Sequence, residues 1–218
     1  PTLCFEGQLS DLFLPIESYQ DQDAPAGYRD YQTLYAWALR LGIIPRYEAH
    51  LADALASSRM VVVANPARPI AGRDLESLVD YVRDGGGLLV IIGSEQMTVQ
   101  RRSLRNVGVL LGRFGVSVQV SAVSRPAQVS FGTTGECTVP SPVVVTGGRK
   151  LASLANGAAV VCEARLGKGR VVVAGVAAAL TTRGLGAPLD RRAPGQTARS
   201  ALAFHVLRAL QPAPGGEG

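Results

Sequence analysis

Few residues in this chain have side chains that could act as a nucleophile or a general base. The cysteines are Cys4, Cys137 and Cys162, and the histidines are His50 and His205. The cysteine spacing matches neither a zinc-binding pattern nor a CxxC redox pair, so we expect no metal and no other cofactor. Cys162 lies in the apolar run AVVCEA, which favours a small buried side chain, whereas Cys137 lies in a predicted loop.

Two apolar runs predict neighbouring strands of one sheet. The runs are MVVVA (60–64) and LLVIIG (88–93), and the amphipathic segment 74–85 lies between them. Strands without alternation of polar and apolar residues are typical of parallel sheets, which are buried on both faces. Residues 60–93 therefore predict a strand–helix–strand unit.

Polar residues follow each of these predicted strands. Asn65 and Arg68 follow the first strand, and Ser94, Glu95 and Gln96 follow the second. Ligands of open α/β sheets bind beyond the carboxyl ends of the strands, so these five residues are the candidate ligand-binding site. An arginine there could hold a carboxylate or a phosphate. The alternatives are a solvated loop after the first strand and a helix cap at Ser94.

A predicted helix over residues 28–42 carries most of the aromatic side chains near the start of the chain. Tyr28, Tyr31, Tyr35 and Trp37 could form a platform for a sugar ring, but at helical spacing they are also typical of half-buried packing. Trp37 lies off the face of Tyr31 and Tyr35. We therefore expect it to be exposed, at an interface with a partner protein.

The remaining elements complete an alternating α/β pattern. Residues 103–115 predict a helix, 116–123 a strand, 159–176 a C-terminal β-hairpin and 196–210 a last helix. Residues 124–158 are rich in Pro, Gly, Ser and Thr, and they predict an irregular β insertion.

Length and composition set the limits of the fold. The chain has 218 residues, of which 47% are hydrophobic and 18% charged, as in a globular protein. We expect a single domain over residues 1–210 and a flexible tail over 211–218. The chain begins at Pro1 without Met, so we expect a domain excised from a longer protein, which could be associated with a membrane.

The charges and the apolar runs argue against two classes of partner. The net charge of +5 is scattered, and the arginine pairs at 101–102 and 191–192 are too short for a nucleic-acid footprint. No apolar run reaches the roughly 18 residues of a membrane span. Sparse cysteines suit a reducing compartment, so we expect a cytoplasmic protein.

The order of the elements resembles the class I glutamine amidotransferase-like superfamily, and within it the uncharacterised bacterial domains often found beside membrane or transport components. The resemblance lies in VVVANPARPIAGRDLESLVDYVRDGGGLLVIIG, LLGRFGVSV and ARLGKGRVVVAGV. It implies a three-layer, flavodoxin-like, mostly parallel sheet with helices on both faces and a C-terminal β-hairpin.

Amidotransferases of this superfamily carry their catalytic cysteine in a G-x-C-x-G elbow between a strand and a helix. In GGGLLVIIGSEQM, Ile92 occupies the place of that cysteine. A shifted register offers Ser94, but Gln96 then stands where glycine is required. His205 has no acidic partner two residues later, and Val176 stands where the related bacterial domains commonly carry Asp. The resemblance therefore implies a branch without the catalytic triad.

The sequence predicts a non-catalytic domain that serves as a binding or scaffolding module, with a protein partner, in a larger protein or complex. One alternative is a sensor domain that binds a sugar or nucleotide at the strand ends. Another is a hydrolase that uses Ser94 or Glu95 with Arg68.

Overall fold

A computed structural model describes residues 1–12, 14, 30–66, 68–93, 106–119, 125–188, 191 and 193–211. Three of the five candidate site residues, Ser94, Glu95 and Gln96, lie outside the described residues, as does Tyr28. The candidates within them are Asn65 and Arg68.

The described residues contain strands and helices in alternation along the first half of the chain. The strands are β1 Thr2–Glu6, β2 Ile44–Glu48, β3 Met60–Ala64, β4 Gly87–Ile91, β5 Ser117–Val118, β6 Ala127–Phe131, β7 Gly135–Val139, β8 Val145–Thr146, β9 Arg149–Leu154, β10 Ala159–Leu166 and β11 Gly169–Ala174. The helices are α1 Gln32–Ala38, α2 Leu51–Ser57, α3 Gly72–Arg83, α4 over 106–113, α5 Ala177–Leu180, α6 Thr182–Leu185 and α7 Pro194–Leu210.

One large mixed sheet organises the fold, with the strand order β2-β1-β3-β4-β11-β10-β9-β6-β7. The strands from β2 to β11 pair in parallel, and those from β11 to β7 pair antiparallel. The predicted α/β fold is therefore confirmed, and the C-terminal hairpin is β10–β11.

Residues 124–158 are more regular than the sequence predicted. They supply β6, β7 and β9, which extend the main sheet beyond the hairpin, so the prediction of an irregular insertion was wrong. The strand predicted over 116–123 is short: β5 has two residues and pairs with β8 in a separate ladder. Pairing with partners distant in sequence, rather than local composition, gives these residues their strand geometry.

The central strands are buried on both faces, as their apolar runs predicted. In β3, Val62 and Ala64 belong to a core that also contains residues of α1 and α7. Val61 and Val63 belong to a second core with residues of α2, α3 and α4. Side chains alternate between the two faces of a strand, so helices pack against both faces of this sheet.

The first helix ends as predicted, but its tryptophan is not exposed. A short 3₁₀ turn, Leu39–Leu41, follows α1, and Gly42 ends it in the left-handed conformation with φ 69°. Trp37 is 1% exposed and stacks on Phe204 of α7 with ring centroids 5.7 Å apart. The prediction of an exposed Trp37 at a partner interface was therefore wrong, because a helix distant in sequence covers it.

Candidate functional site

The chain changes direction across the sheet at β1. From β1 it crosses to β2 on one side, and it then returns to β3 on the other side. Neighbouring parallel strands whose crossovers diverge in this way leave a crevice at their carboxyl ends, where α/β proteins bind ligands. We call the described residues of the loops after β1 and β3, which are 6–11, 64–66 and 68, the strand-end crevice.

Glu6 lies at the base of the strand-end crevice and is fully buried. Its Oε2 accepts a hydrogen bond of 2.9 Å from the Leu9 amide, and its Oε1 accepts one of 2.6 Å from Ser10 Oγ. Ser10 Oγ in turn accepts a 3.0 Å bond from the amide of Ala64 at the end of β3. Burial raises the pKa of the Glu6 carboxyl above its ordinary value, and the hydrogen bond from Ser10 opposes that rise.

Gln8 ties the loop after β1 to the helices of one face. Its Oε1 accepts a 3.0 Å hydrogen bond from the amide of Leu51 at the start of α2, and its Nε2 lies 3.4 Å from Asp74 Oδ2 on α3. The guanidinium of Arg68, which is exposed, donates to the backbone carbonyl of Gln8. The loop after β1 is thus held by its own polar side chains and by Arg68.

Asn65 follows β3 with φ 46°, in the left-handed region that asparagine adopts more readily than most residues with a side chain. Its Nδ2 donates a 2.9 Å hydrogen bond to the hydroxyl of Tyr31, and its amide donates to the Ile91 carbonyl at 2.8 Å. Its Oδ1 is buried and accepts no hydrogen bond from the described residues. A buried amide oxygen of this kind is uncommon and is the one unsatisfied acceptor at the described part of the crevice.

Asn65 and Arg68 therefore lie at the carboxyl end of β3, where the sequence placed them. Whether they form one site with Ser94, Glu95 and Gln96 stays a prediction. Sequence reasoning missed Glu6, Gln8 and Ser10, because these residues match no catalytic or metal-binding motif. The signal that could have revealed them is the run of polar residues in EGQLS, directly after the apolar TLCF.

In the folded chain, the thiols are poorly suited to act as nucleophiles. Cys4, Cys137 and Cys162 are all free and buried. Burial raises the pKa of Cys4 to about 12 and those of Cys137 and Cys162 to about 11. The thiolate is the reactive form, so these thiols are largely unreactive at neutral pH. Cys137 lies on β7, so its prediction as a loop residue was wrong.

The described histidines are not part of the strand-end crevice. His50 is exposed and precedes α2, whereas His205 lies on α7 against the ring of Phe131 of β6. The Nε2 of His205 lies 3.2 Å from the Leu151 carbonyl oxygen. Ile92 is fully buried and donates its amide to the Ala174 carbonyl at 2.9 Å.

The described residues offer neither a metal-binding cluster nor a membrane-spanning helix. They contain no group of three or more His, Cys, Asp or Glu side chains that could hold a metal ion. None of the helices in that part of the chain is long and apolar enough to cross a membrane.

No protein-family model and no curated protein matches the chain. Solved structures do resemble it. The mmIFT52 N-terminal domain is 13% identical with a TM-score of 0.65, over 94% of this chain and 96% of that domain. The cytoplasmic protein STM1381 from Salmonella typhimurium LT2 is 15% identical with a TM-score of 0.62, over 97% of this chain and 100% of that one.

The fold also occurs as part of much longer chains. The exo-β-1,4-mannosidase Op5Man5 from Opitutaceae bacterium strain TAV5 is 13% identical with a TM-score of 0.57. The match covers 93% of this chain but 35% of the mannosidase. At this level of identity the likeness extends to the fold and not to activity.

Proposed function

We propose that this chain is a non-catalytic α/β domain that serves as a binding or scaffolding module in a larger protein or complex. The observation that carries the proposal is that the polar side chains of the loop after β1 are engaged in hydrogen bonds within the chain. The carboxylate of Glu6 is satisfied by Leu9 and Ser10, and Gln8 is engaged with α2 and α3. A catalytic site instead needs polar groups that converge on an open position where a reacting atom could sit.

Other observations support a modular role. The fold matches nearly all of an N-terminal domain and about a third, 35%, of a glycosidase chain, so it occurs inside longer proteins. Three free cysteines suit a reducing compartment, and a cytoplasmic location is part of the proposal. A relationship to the class I glutamine amidotransferase-like superfamily remains a hypothesis that rests on the sequence motifs, with Ile92 in place of the nucleophile.

Turnover assays test the non-catalytic role. We expect the purified chain to release no ammonia from glutamine and no nitrophenol from p-nitrophenyl glycosides beyond the buffer rate. Glutamine is chosen for the superfamily that the sequence resembles, and glycosides for the enzymes that share the fold. Turnover that survives repurification and disappears in Arg68→Gln or Ser94→Ala would overturn the proposal, since a contaminating enzyme would not respond to these changes.

A second candidate function is a small-molecule sensor, and Asn65 is the observation that favours it. Its buried Oδ1 has no hydrogen-bond partner among the described residues, and Arg68, three residues later, is exposed. A ligand that offers a hydrogen-bond donor to Asn65 and an anionic group to Arg68 would satisfy both. Equilibrium dialysis against sugars and nucleotides checks this candidate. Retention by the wild type and loss in Arg68→Gln would support it, and no retention at millimolar ligand would refute it.

A further inference from the structure

Three arginines and one glutamate occupy neighbouring positions on the antiparallel side of the sheet. Arg149 of β9 is paired with Glu163 of β10, and Arg165 of β10 is paired with Arg170 of β11. Glu163 and Arg165 are two residues apart, so all four side chains project from the same face of the sheet. We call Arg149, Arg165 and Arg170, with Glu163 between them, the arginine face.

The arginine face has more positive charge than its carboxylate can compensate. The side chain of Glu163 is 2% exposed, and its Oε2 accepts a 3.1 Å hydrogen bond from Arg149 Nε. Arg165 Nε lies 3.5 Å from the other oxygen, Oε1. Arg170 donates through Nη1 to a neutral group, the Ala209 carbonyl of α7, at 3.2 Å. Within the described residues, Arg149 and Arg165 contact the carboxylate of Glu163 and Arg170 contacts no carboxylate, so the three arginines bring two more positive charges than this one carboxylate compensates.

This arrangement costs stability in the isolated chain but suits an anionic partner. Like charges directly opposite each other on neighbouring strands repel, as at Arg165 and Arg170. The side chains of Arg149 and Arg165 are 68% and 72% exposed, so their guanidiniums can reach a bound molecule. Guanidinium groups bind carboxylates through two parallel hydrogen bonds, and rigid strands fix their spacing.

We propose that the arginine face is a docking surface for an acidic segment, rich in Asp and Glu, of a protein partner. This inference rests on the proposed role as a binding module and names the chemistry of the partner. Arg208, in the last turn of α7, is also exposed and directly precedes Ala209, whose carbonyl Arg170 binds.

The composition of the face favours an acidic protein segment over a nucleic acid or a membrane. Single-stranded nucleic acids stack their bases on aromatic rings, and β9, β10 and β11 contain no aromatic residue. Peripheral membrane binding commonly adds apolar side chains that enter the lipid. The exposed large hydrophobic side chains of the described residues, Leu39, Ile44, Tyr47 and Val109, lie on other elements.

Fluorescence anisotropy of the full chain with a labelled peptide of about twelve glutamates tests the proposal at about 50 mM salt, where screening is weak. We expect saturable binding that weakens about tenfold in Arg165→Gln and further in Arg165→Gln/Arg170→Gln. Arg149 is left intact because it compensates the buried Glu163. Arg113→Gln is the matched control. Arg113 is an arginine on the other face of the sheet with a 41% exposed side chain, and it pairs with Glu76. We expect its loss to change the affinity less than about twofold.

Three results would overturn the proposal: no binding of the peptide, equal loss in the Arg113 control, or tighter binding of phosphatidylserine vesicles or single-stranded DNA than of the peptide. Denaturation curves for each variant establish that it is folded. A chain that neither turns over substrate nor binds the peptide would retain the proposed modular role and refute the arginine face alone. A chain that turns over glutamine or glycosides would refute the modular role.

Discussion

Ser10 links the buried carboxylate of Glu6 to the end of β3. Removal of its hydroxyl therefore measures how much these hydrogen bonds stabilise the folded chain. In the Ser10→Ala variant, Glu6 Oε1 loses its 2.6 Å donor. The amide of Ala64, which is fully buried, loses the hydroxyl oxygen that accepts its 3.0 Å hydrogen bond. Both partners are therefore left without their hydrogen bond.

The size of the effect follows from these two losses. A hydrogen bond to a charged group contributes about 1.5–3 kcal/mol, and an unsatisfied buried amide costs about 1–3 kcal/mol. The two losses share one hydroxyl and one site, so they do not add fully. We expect the free energy of unfolding to fall by about 3 kcal/mol, which is a large part of the 5–15 kcal/mol typical of a domain.

The effect also depends on pH, because burial raises the pKa of Glu6 above its ordinary value of 4.5. A raised carboxyl pKa means that Glu6 favours folding while protonated, and that this contribution is lost as pH rises through the folded-state pKa. The hydrogen bond from Ser10 lowers that pKa by stabilising the charged form. Its removal raises the pKa further, so we expect Ser10→Ala to lose more stability at pH 8 than at pH 4.

Urea denaturation at both pH values measures this prediction, with Ser130→Ala as the matched control. Ser130 Oγ also donates to a glutamate, Glu136, but at 3.4 Å on an exposed surface, so its removal should cost less than about 0.5 kcal/mol. Equal destabilisation by the two variants, or a Ser10→Ala effect that is larger at pH 4, would refute the described role of Ser10.

Further predictions concern the core and the turns. Burial raises the pKa values of the three thiols to about 11 or 12. We therefore expect the thiols to resist alkylation at pH 8 in the native chain and to react fully in denaturant. Fast labelling of any one thiol in the native chain would contradict its burial. Trp37→Ala should lower the free energy of unfolding by about 3–5 kcal/mol, because it empties the space beside Phe204; a loss under about 1 kcal/mol would mean that the side chain is exposed after all. Gly42→Ala should lower the free energy of unfolding by about 1–2 kcal/mol, because φ at Gly42 is 69°. Gly108→Ala, in the exposed interior of α4, should raise it by about 0.5–1 kcal/mol. The reverse order in thermal melts would refute the assigned conformations.

The local elements could be predicted from the sequence where their pattern is strong. The apolar run of β3 and the spacing of Leu75, Leu78, Val79 and Val82 on α3 identified a buried strand and the inner face of a helix. The turn of the β10–β11 hairpin was visible in its glycines. These features depend on neighbours in sequence, so the pattern alone determines them.

The long-range arrangement could not be predicted. Pairing of β6 with β9 joins residues 21 to 25 positions apart, and no local pattern specifies it. Trp37 is covered by Phe204 of α7, far away along the chain. A glutamate such as Glu6 is ordinarily exposed, so its burial became apparent only with the donors of Leu9 and Ser10 around it.

A thermal-shift titration of the purified chain against sugars, nucleotides and amino acids tests the central claim most directly. It shows whether the strand-end crevice binds a small molecule, as a sensor would, or binds none, as we propose for a non-catalytic module. A ligand at a hundred times its Kd adds about 2.7 kcal/mol to the free energy of unfolding, which raises Tm by about 5 °C or more in a chain of this size. A non-catalytic binding module predicts no such shift for any compound. A shift of that size that is lost in Arg68→Gln, while the variant alone melts like the wild type, would contradict it.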